Sequence, residues 1–164
     1  MMTIHSNLNI TRDAITFQPF LRSKKGGLIS FLVAIVFIII VYLAQFKEET
    51  TYSLYIFSVL LVIYGAYYYF IDSKFVIEFN KTKKAVYKKI PGLYNRKLIA
   101  FSDINNIAII YTNGNPHYCI THRENMFGKN YAITEYFNDT NQGVAARDDF
   151  ETYILPSLLK CVSP

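Results

Sequence analysis

The sequence contains no tryptophan and only two cysteines among its 164 residues. Cys119 and Cys161 are too few for a disulfide framework, and their separation excludes a CxxC redox or zinc motif. Charged residues are also scarce: they make up 18% of the chain, against 52% hydrophobic residues, and the mean hydropathy is +0.18. A soluble domain of this size usually carries more charge. This composition predicts long uncharged segments.

Catalytic and nucleotide-binding signatures are missing as well. The sequence has no glycine-rich phosphate loop, no GxSxG nucleophile elbow and no HExxH motif. His117, Cys119 and His122 form the only close group of metal-ligand residue types, but strand alternation would point His122 away from the other two. A structural zinc site normally needs four converging ligands. We predict that the protein is not an enzyme and has no metal or cofactor site.

Two long segments, 28–46 and 51–71, contain no Asp, Glu, Lys, Arg or His. As a helix with a rise of about 1.5 Å per residue, the first would span roughly 28 Å, close to the ~30 Å core of a bilayer. Two buried helices that are apolar on every face would need more protein to cover them than this chain provides. A cleaved signal peptide is disfavoured, because a long leader precedes the first segment. The segments predict two transmembrane helices joined by an outer loop at 47–50.

Positive charges near these segments predict their orientation. Arg22, Lys24 and Lys25 precede the first segment and several lysines follow the second, whereas Lys47 is the only positive residue in the loop. Since cytoplasmic flanks collect Lys and Arg, we expect a bacterial inner-membrane protein with both termini in the cytoplasm. Aromatic residues at the cytoplasmic end of the second span are expected to anchor it in the headgroup layer. These anchors are Tyr64, Tyr67, Tyr68, Tyr69 and Phe70.

The formal net charge of +5 fits this topology. A nucleic-acid partner is not predicted, because it would require a basic stripe with stacking aromatics on a soluble surface. Anionic headgroups are one candidate ligand of the densest basic stretch, at about 1 kcal/mol per cation near the membrane. Solvated strand edges, on which lysine prevents edge pairing, explain the stretch equally well. Its residues are Lys81, Lys83, Lys84, Lys88, Lys89, Arg96 and Lys97.

The hydrophobic pattern changes to strand alternation after residue 72. Short strands at the spacing seen here predict a small antiparallel β-barrel or sandwich. A helix over 148–161, capped by Asp148 or Asp149 and bent by Pro156, is expected to cover one end of it. The predicted strands are 75–79, 85–90, 93–101, 104–111, 117–122 and 131–137.

The chain therefore divides into three predicted regions. Residues 1–27 form a cytoplasmic N-terminal segment, 28–71 the transmembrane hairpin, and 72–164 a cytoplasmic β domain with a C-terminal helix. We also considered the N-terminal segment as an addition to the β domain. The predicted fold class is an α+β membrane protein.

Two predicted transmembrane helices followed by FVIEFNKTKKAVYKKIPGLYNRKLIAFSDINNIAII resemble the bacterial membrane proteins that carry a PH-like domain. The resemblance covers roughly residues 75–159 and consists of paired strands, a basic hairpin, a strand led in by FSDI, and a closing helix. It implies a split or bent β-barrel capped by a helix, and a role in binding and not in turnover.

We therefore expect a non-catalytic membrane protein that binds another protein. A small hairpin protein with a binding domain also resembles immunity proteins, which neutralise the antibacterial toxin of their own cell by direct binding. The alternative is an envelope scaffold, or a PH-like membrane protein that binds anionic lipid. A transporter is disfavoured, because the spans lack the ionisable residues that mark ion paths.

Overall fold

The computed structural model describes residues 7–20, 23–44, 47–124 and 130–162. The chain folds as two compact units. One unit, the helical hairpin, comprises Phe20–Lys74. The other, the β domain, comprises Met1–Pro19 together with Phe75–Pro164. The N-terminal segment is therefore shared between the two units, and its first part joins the β domain.

Two helices make up the hairpin: α1 covers Ser23–Ala44 and α2 covers Glu48–Ala66. A π-helical turn at Tyr67–Ile71 and a 3-10 turn at Asp72–Lys74 extend α2. Both helices are long and apolar enough to cross a membrane.

The helices begin earlier than the uncharged segments do. Helix α2 already starts within the stretch expected as a loop, since Glu48 and Glu49 occupy its first turn, where carboxylates interact favourably with the helix dipole. The backbone N–H of Thr51 donates to the Lys47 carbonyl oxygen at 3.0 Å, which closes this turn. Arg22 and residues 45–46 of the predicted first span lie outside the described residues.

The seam between α1 and α2 is made mainly of small residues, with Val41 as the largest buried side chain. Gly27 and Ala34 are buried on α1, and Ser58 and Gly65 are buried on α2, in each helix seven residues apart. A Cβ atom on Gly27 would lie 2.8 Å from the Gly65 carbonyl oxygen, and one on Gly65 would lie 2.9 Å from the Gly27 carbonyl oxygen. A seven-residue spacing of small residues is typical of helices that pack backbone against backbone.

Among the described residues of the β domain, all strand pairs are antiparallel, and they form two sheets. The first sheet has the order β1-β2-β3-β4-β5 and the second has the order β6-β7-β8. The strands are β1 Asn9–Ile10, β2 Ala14–Phe17, β3 Val76–Asn80, β4 Ala85–Ile90, β5 Tyr94–Ala100, β6 Ile104–Thr112, β7 Asn115–His122 and β8 Asn130–Ala132.

The two sheets share one core with the C-terminal helical segment. The first sheet contributes Phe17 and Phe79, the second contributes Ile120, and the helical segment contributes Phe150 and Leu158. The antiparallel α+β architecture is thus confirmed. In the described part of the chain the barrel does not close, because a 3-10 turn at Phe101–Asp103 carries the chain from β5 into a separate sheet.

The prediction of a strand over 131–137 is mostly wrong, because β8 ends at Ala132. Beyond it the chain stays beside β7 without forming a regular ladder. The side-chain oxygen of Thr134 accepts the Tyr118 N–H at 2.9 Å, while the N–H of Phe137 donates to the Pro116 carbonyl oxygen at 2.8 Å. The threonine side chain takes a donor that a strand backbone would otherwise use, and this interrupts the pairing.

The C-terminal helical segment is longer than predicted. It consists of α3 (Asn141–Asp149), a π-helical turn (Phe150–Ile154) and α4 (Leu155–Val162). Its cap is Thr140, whose hydroxyl accepts the Gly143 N–H at 3.2 Å, and not Asp148 or Asp149.

Pro156 lies inside α4 without ending the helix. The π-helical turn directly before it places the Leu155 N–H on the Phe150 carbonyl oxygen, five residues back. Widened turns of this kind re-route the hydrogen bonds that a proline interrupts.

A polar network ties α3 and the following turn to β7. Glu151 accepts hydrogen bonds from the Tyr118 hydroxyl and from Arg147 Nε, both at 2.7 Å. The hydrogen bond from Arg147 and then that from Tyr118 lower the pKa of Glu151 below its ordinary value of 4.5. Burial and the bond to Glu151 raise the pKa of Tyr118 to about 12. The network therefore favours an ionised Glu151 at neutral pH.

Candidate binding surface

The strand register divides the predicted basic residues between the two faces of the first sheet. Lys88 pairs with Arg96 on β5 and with the core residue Ile77 on β3. Cross-strand partners point to the same face, so Lys88 and Arg96 extend the core-facing side. Lys89 is the next residue along β4 and points to the opposite side. Lys97 shares that opposite side, because its partner Tyr87 pairs with Glu78.

Contacts inside the protein occupy two cations of the outer side, Lys83 and Lys89. Lys89 forms an ion pair with Glu78, and Asn80 donates to the other oxygen of Glu78 at 2.9 Å. The Nζ atoms of Lys83 and Lys89 lie 5.8 and 5.3 Å from the ring centre of Tyr87. Burial raises the pKa of Glu78, but the hydrogen bonds from Asn80 and Lys89 outweigh it and lower the pKa below 4.5. This group serves the stability of the sheet.

Lys81 and Lys84 lie in the turn between β3 and β4. Lys81 Nζ donates to the Thr11 carbonyl oxygen at 3.3 Å, and its backbone N–H donates to the Asp13 carbonyl oxygen at 2.8 Å. These contacts tie the turn to the N-terminal strands. Lys84 has a φ of +45°, a turn conformation that few L-residues adopt.

One cation of the core-facing side, Lys88, lies over an aromatic ring. Lys88 Nζ lies 3.9 Å from the ring centre of Phe75, and the Phe75 ring meets that of Tyr94 edge-on at 6.3 Å. Arg96 is the cross-strand neighbour of Lys88. Because both are cations, this neighbouring pair destabilises the sheet by about 0.2–1 kcal/mol. Neither Arg96 nor Lys97 forms an ion pair among the described residues.

The β4–β5 turn carries an exposed apolar residue that the sequence analysis did not single out. The Leu93 N–H donates to the Ile90 carbonyl oxygen at 3.0 Å, and Gly92 adopts a φ of +76°, which closes the turn. Leu93 is 75% exposed and the adjacent Tyr94 is 40% exposed. A leucine placed directly after Pro91-Gly92 is the sequence signal that marks this tip.

Of the five predicted anchors, Tyr64 lies in the last turn of α2 and the other four lie in the π-helical turn that follows it. Tyr64, Tyr67 and Phe70 are exposed, whereas Tyr68 and Tyr69 are half-buried. The Tyr64 and Tyr68 ring centres lie 4.4 Å apart, and those of Tyr69 and Phe70 lie 5.0 Å apart. Tyr69 also contacts helix α1 through Phe31 and Lys24, at 6.5 and 5.2 Å. Only part of this group therefore faces outward.

The residues considered for metal or thiol chemistry are built into the sheet. His117 and Cys119 are buried on β7, and burial raises the pKa of Cys119 to about 11, which keeps its thiol protonated. His122 Nδ1 accepts the Glu124 N–H at 3.1 Å. The His117 ring lies 4.7 Å from that of Tyr136. Within the described ranges no three His, Cys, Asp or Glu side chains converge on a common point.

No family model, curated protein or solved structure matches this chain. Function therefore has to be inferred from the surfaces of the two units.

Proposed function

We propose that this protein is a membrane-anchored binding protein without catalytic activity. The exposure of large apolar side chains on both helices carries this proposal. Leu32 and Ile39 on α1 and Leu60 on α2 are each more than half exposed, and so are many of their neighbours. Burying one such side chain gains about 1.5–3 kcal/mol, so leaving this many in water is strongly unfavourable. A bilayer core removes that cost.

A core helix of a soluble protein would show the opposite pattern. It would bury its large side chains and leave polar ones outside. Here the buried positions of the two helices are Gly27, Ala34, Val41, Ser58 and Gly65, none larger than valine, and most of the large apolar side chains are exposed. Lipid-facing hairpins have this arrangement, because lipid solvates the large side chains while small residues let the helices approach.

The charge distribution supports an orientation with both chain ends in the cytoplasm. Lys24 and Lys25 begin α1, Lys74 ends the extension of α2, and Lys47 at the turn is followed by two glutamates. The positive-inside rule then places the turn outside a bacterial inner membrane. Fusions of alkaline phosphatase at residue 47 and at the C-terminus test this: activity at residue 47 alone is expected, and activity at the C-terminus would reverse the topology.

The β domain is the proposed binding module. Two antiparallel sheets, a 3-10 turn at the FSDI sequence and a helical segment packed on the shared core support the PH-like resemblance. We propose that the domain binds another protein, and in the most specific form of the proposal that protein is an antibacterial toxin which this chain neutralises.

A pull-down tests the binding proposal. The full-length chain would be purified from gently solubilised membranes of its native cell, and co-purifying proteins identified and quantified. Recovery of one protein in near-equal amount is expected. If that protein alone is lethal to a host and co-production of this chain restores growth, the immunity form is supported. Recovery of a housekeeping membrane complex would contradict it and favour the envelope scaffold.

A further inference from the structure

The tip of the β4–β5 hairpin combines features that are useful at a membrane surface. Leu93 is exposed at the turn, and Tyr94, whose ring has an apolar body and a polar hydroxyl, follows it. Single exposed leucines are common on soluble surfaces and need no explanation by themselves. The surroundings of Leu93 are what distinguish it.

Cations lie directly behind the tip. Lys88 and Arg96 form one cross-strand pair on the core-facing side, and Lys97, the next residue on β5, lies on the opposite side of the same hairpin. At about 3.3 Å per residue, Arg96 lies roughly 10 Å along the strand from Leu93. Apolar groups of peripheral proteins enter the headgroup and acyl boundary by about 5–10 Å, so this spacing matches the level of the lipid phosphates.

The register also places the tip at the end of the sheet where the chain leaves the helices. Strand β3 begins at Val76, two residues after the extension of α2 ends at Lys74. Val76 pairs with Lys89, next to the β4–β5 turn, and the Phe75 ring contacts Tyr94. The tip and the chain entry from α2 therefore share one end of the sheet, while Lys81 lies in the turn at the other end.

The β6–β7 hairpin offers a comparison within the same domain. Its turn is Asn113-Gly114, with positive φ angles of +50° and +82°, and Thr112 and Asn115 flank it. No Lys or Arg occurs from Ile104 to His122 on its two strands. Both hairpins end in tight turns, but only the β4–β5 turn combines an apolar tip with cations behind it.

We propose that the β4–β5 tip docks into an anionic bilayer surface, with Leu93 and Tyr94 entering the boundary layer and Lys88, Arg96 and Lys97 contacting lipid phosphates. The inference rests on the proposed membrane anchoring and adds a second membrane contact, made by the β domain. Charge complementarity selects the occupant: this end of the sheet is cationic, and bilayers rich in anionic lipid attract clustered Lys and Arg. The docked tip would fix the orientation of the domain on the membrane.

Fluorescence quenching in vesicles tests the docking. The full chain, with Cys119 and Cys161 replaced by Ala, carries an environment-sensitive dye on Leu93→Cys, or on Thr112→Cys as the matched hairpin control. It is reconstituted into phosphatidylcholine alone or into an equimolar mixture with phosphatidylglycerol, and nitroxide-labelled lipids serve as quenchers. Strong quenching is expected for Leu93→Cys in the anionic vesicles only, and Thr112→Cys should stay unquenched in both.

Neutralising the cations tests the electrostatic part. Lys88→Gln together with Arg96→Gln should shift the docking equilibrium about 30-fold toward the free tip. Arg96→Gln with Lys97→Gln leaves the Lys88–Phe75 contact intact and should give a similar shift, so a folding defect at Lys88 is distinguishable. Quenching that is unchanged in both variants would overturn the assignment of the cations.

A dye on Ile39→Cys in α1 separates the two proposals. Quenching of Ile39→Cys in both vesicle types, without quenching of Leu93→Cys, would overturn the docking and leave the anchoring intact. No quenching at Ile39→Cys would remove the anchoring and the docking with it. Equal quenching at Leu93→Cys and Thr112→Cys would also contradict the docking, because the β4–β5 tip would then contact the membrane no more than the β6–β7 hairpin does.

Discussion

The β domain buries many of its large apolar residues, whereas the helical hairpin exposes most of its own. In the β domain Phe17, Phe79 and Leu158 are buried. In the hairpin the buried positions include Gly27 and Ala34, while large aliphatic side chains cover the outside. The same amino-acid types thus point inward in one unit and outward in the other. This difference is the pattern that the proposed membrane anchoring of the hairpin would produce, with lipid around one unit and water around the other.

The forces that stabilise each unit internally differ accordingly. Removal of apolar surface from water stabilises the β domain. Lipid is as apolar as leucine, so in a bilayer the hairpin would depend on close packing of its helices. Its seam of small residues supplies that packing, whereas the β domain uses interlocking Ile and Phe side chains.

Shortening a core side chain should break the β domain but not the hairpin. Phe79→Ala removes a fully buried ring, and we expect a loss of about 3–5 kcal/mol in the free energy of unfolding. Leu32→Ala on the exposed face of α1 should change it by less than about 0.5 kcal/mol. Denaturant unfolding of the full chain in micelles, followed by tyrosine fluorescence, measures both. Equal effects would contradict the division between the units.

Adding a charge to an exposed position should have the reverse pattern. Leu60 on α2 is 58% exposed and Tyr111 on β6 is 63% exposed. In lipid, Leu60→Arg should cost about 2.5–3.5 kcal/mol of insertion free energy and lower the membrane-integrated fraction. Tyr111→Arg, in water, should leave integration unchanged. Alkaline extraction of membranes measures the fraction, and a harmless Leu60→Arg would show that α2 is solvated by water.

Two adjacent glycines, Gly26 and Gly27, test whether close packing at the seam holds α1 against α2. A Cβ on Gly27 would meet the α2 backbone, but a Cβ on Gly26 would meet nothing within 4 Å. We expect Gly27→Ala to weaken the α1–α2 contact by about 1–3 kcal/mol, and Gly26→Ala to favour the helix by up to about 1 kcal/mol. Energy transfer between dyes at the two chain ends of the hairpin, during thermal unfolding in micelles, reports the contact. Effects of the same sign would remove the seam from the explanation.

The smallest expected effect concerns pH and only the β domain. Because the pKa of Glu151 is lowered in the folded state, its stabilisation is present above the ordinary value of 4.5 and is lost as the pH falls through the lower folded value. Glu151→Gln should therefore lower the Tm by about 2–4 °C at neutral pH and leave it unchanged in strong acid. Calorimetry at a series of pH values measures this. A difference that persists in acid would mean that packing and not charge carries the effect.

The sequence predicted those elements whose ends are set by residues close to them in the chain. Strand β4 matches its predicted range because alternation and the Pro91-Gly92 turn define both ends. Strands β1 and β2 were not predicted as parts of the sheet, since β2 pairs with β3 across the whole hairpin in sequence. Thr140 was missed as a cap because the acidic pair Asp148-Asp149 gave the more obvious helix signal.

The candidate surface was predicted only in part, for a similar reason. Composition identified the seven basic residues, but the register decides which of them face one another, and the register depends on the β4–β5 turn and on a bulge at Val86/Tyr87. Lys81 and Lys89 turned out to hold the sheet together. Leu93 carries no charge, and its place after Pro91-Gly92 marks it as a turn residue but not as a contact residue, so it joins the surface through its exposure in the structure.

Accessibility of spin labels in proteoliposomes would show whether lipid surrounds the hairpin while water surrounds the β domain. Labels are placed on Ile39→Cys in α1 and on Thr112→Cys in the β domain, and their relaxation by oxygen, which partitions into lipid, is compared with that by a water-soluble nickel chelate. We expect that oxygen reaches the Ile39 label and the chelate does not, and that the Thr112 label shows the opposite preference. Access of the chelate to the Ile39 label would contradict a hairpin solvated by lipid.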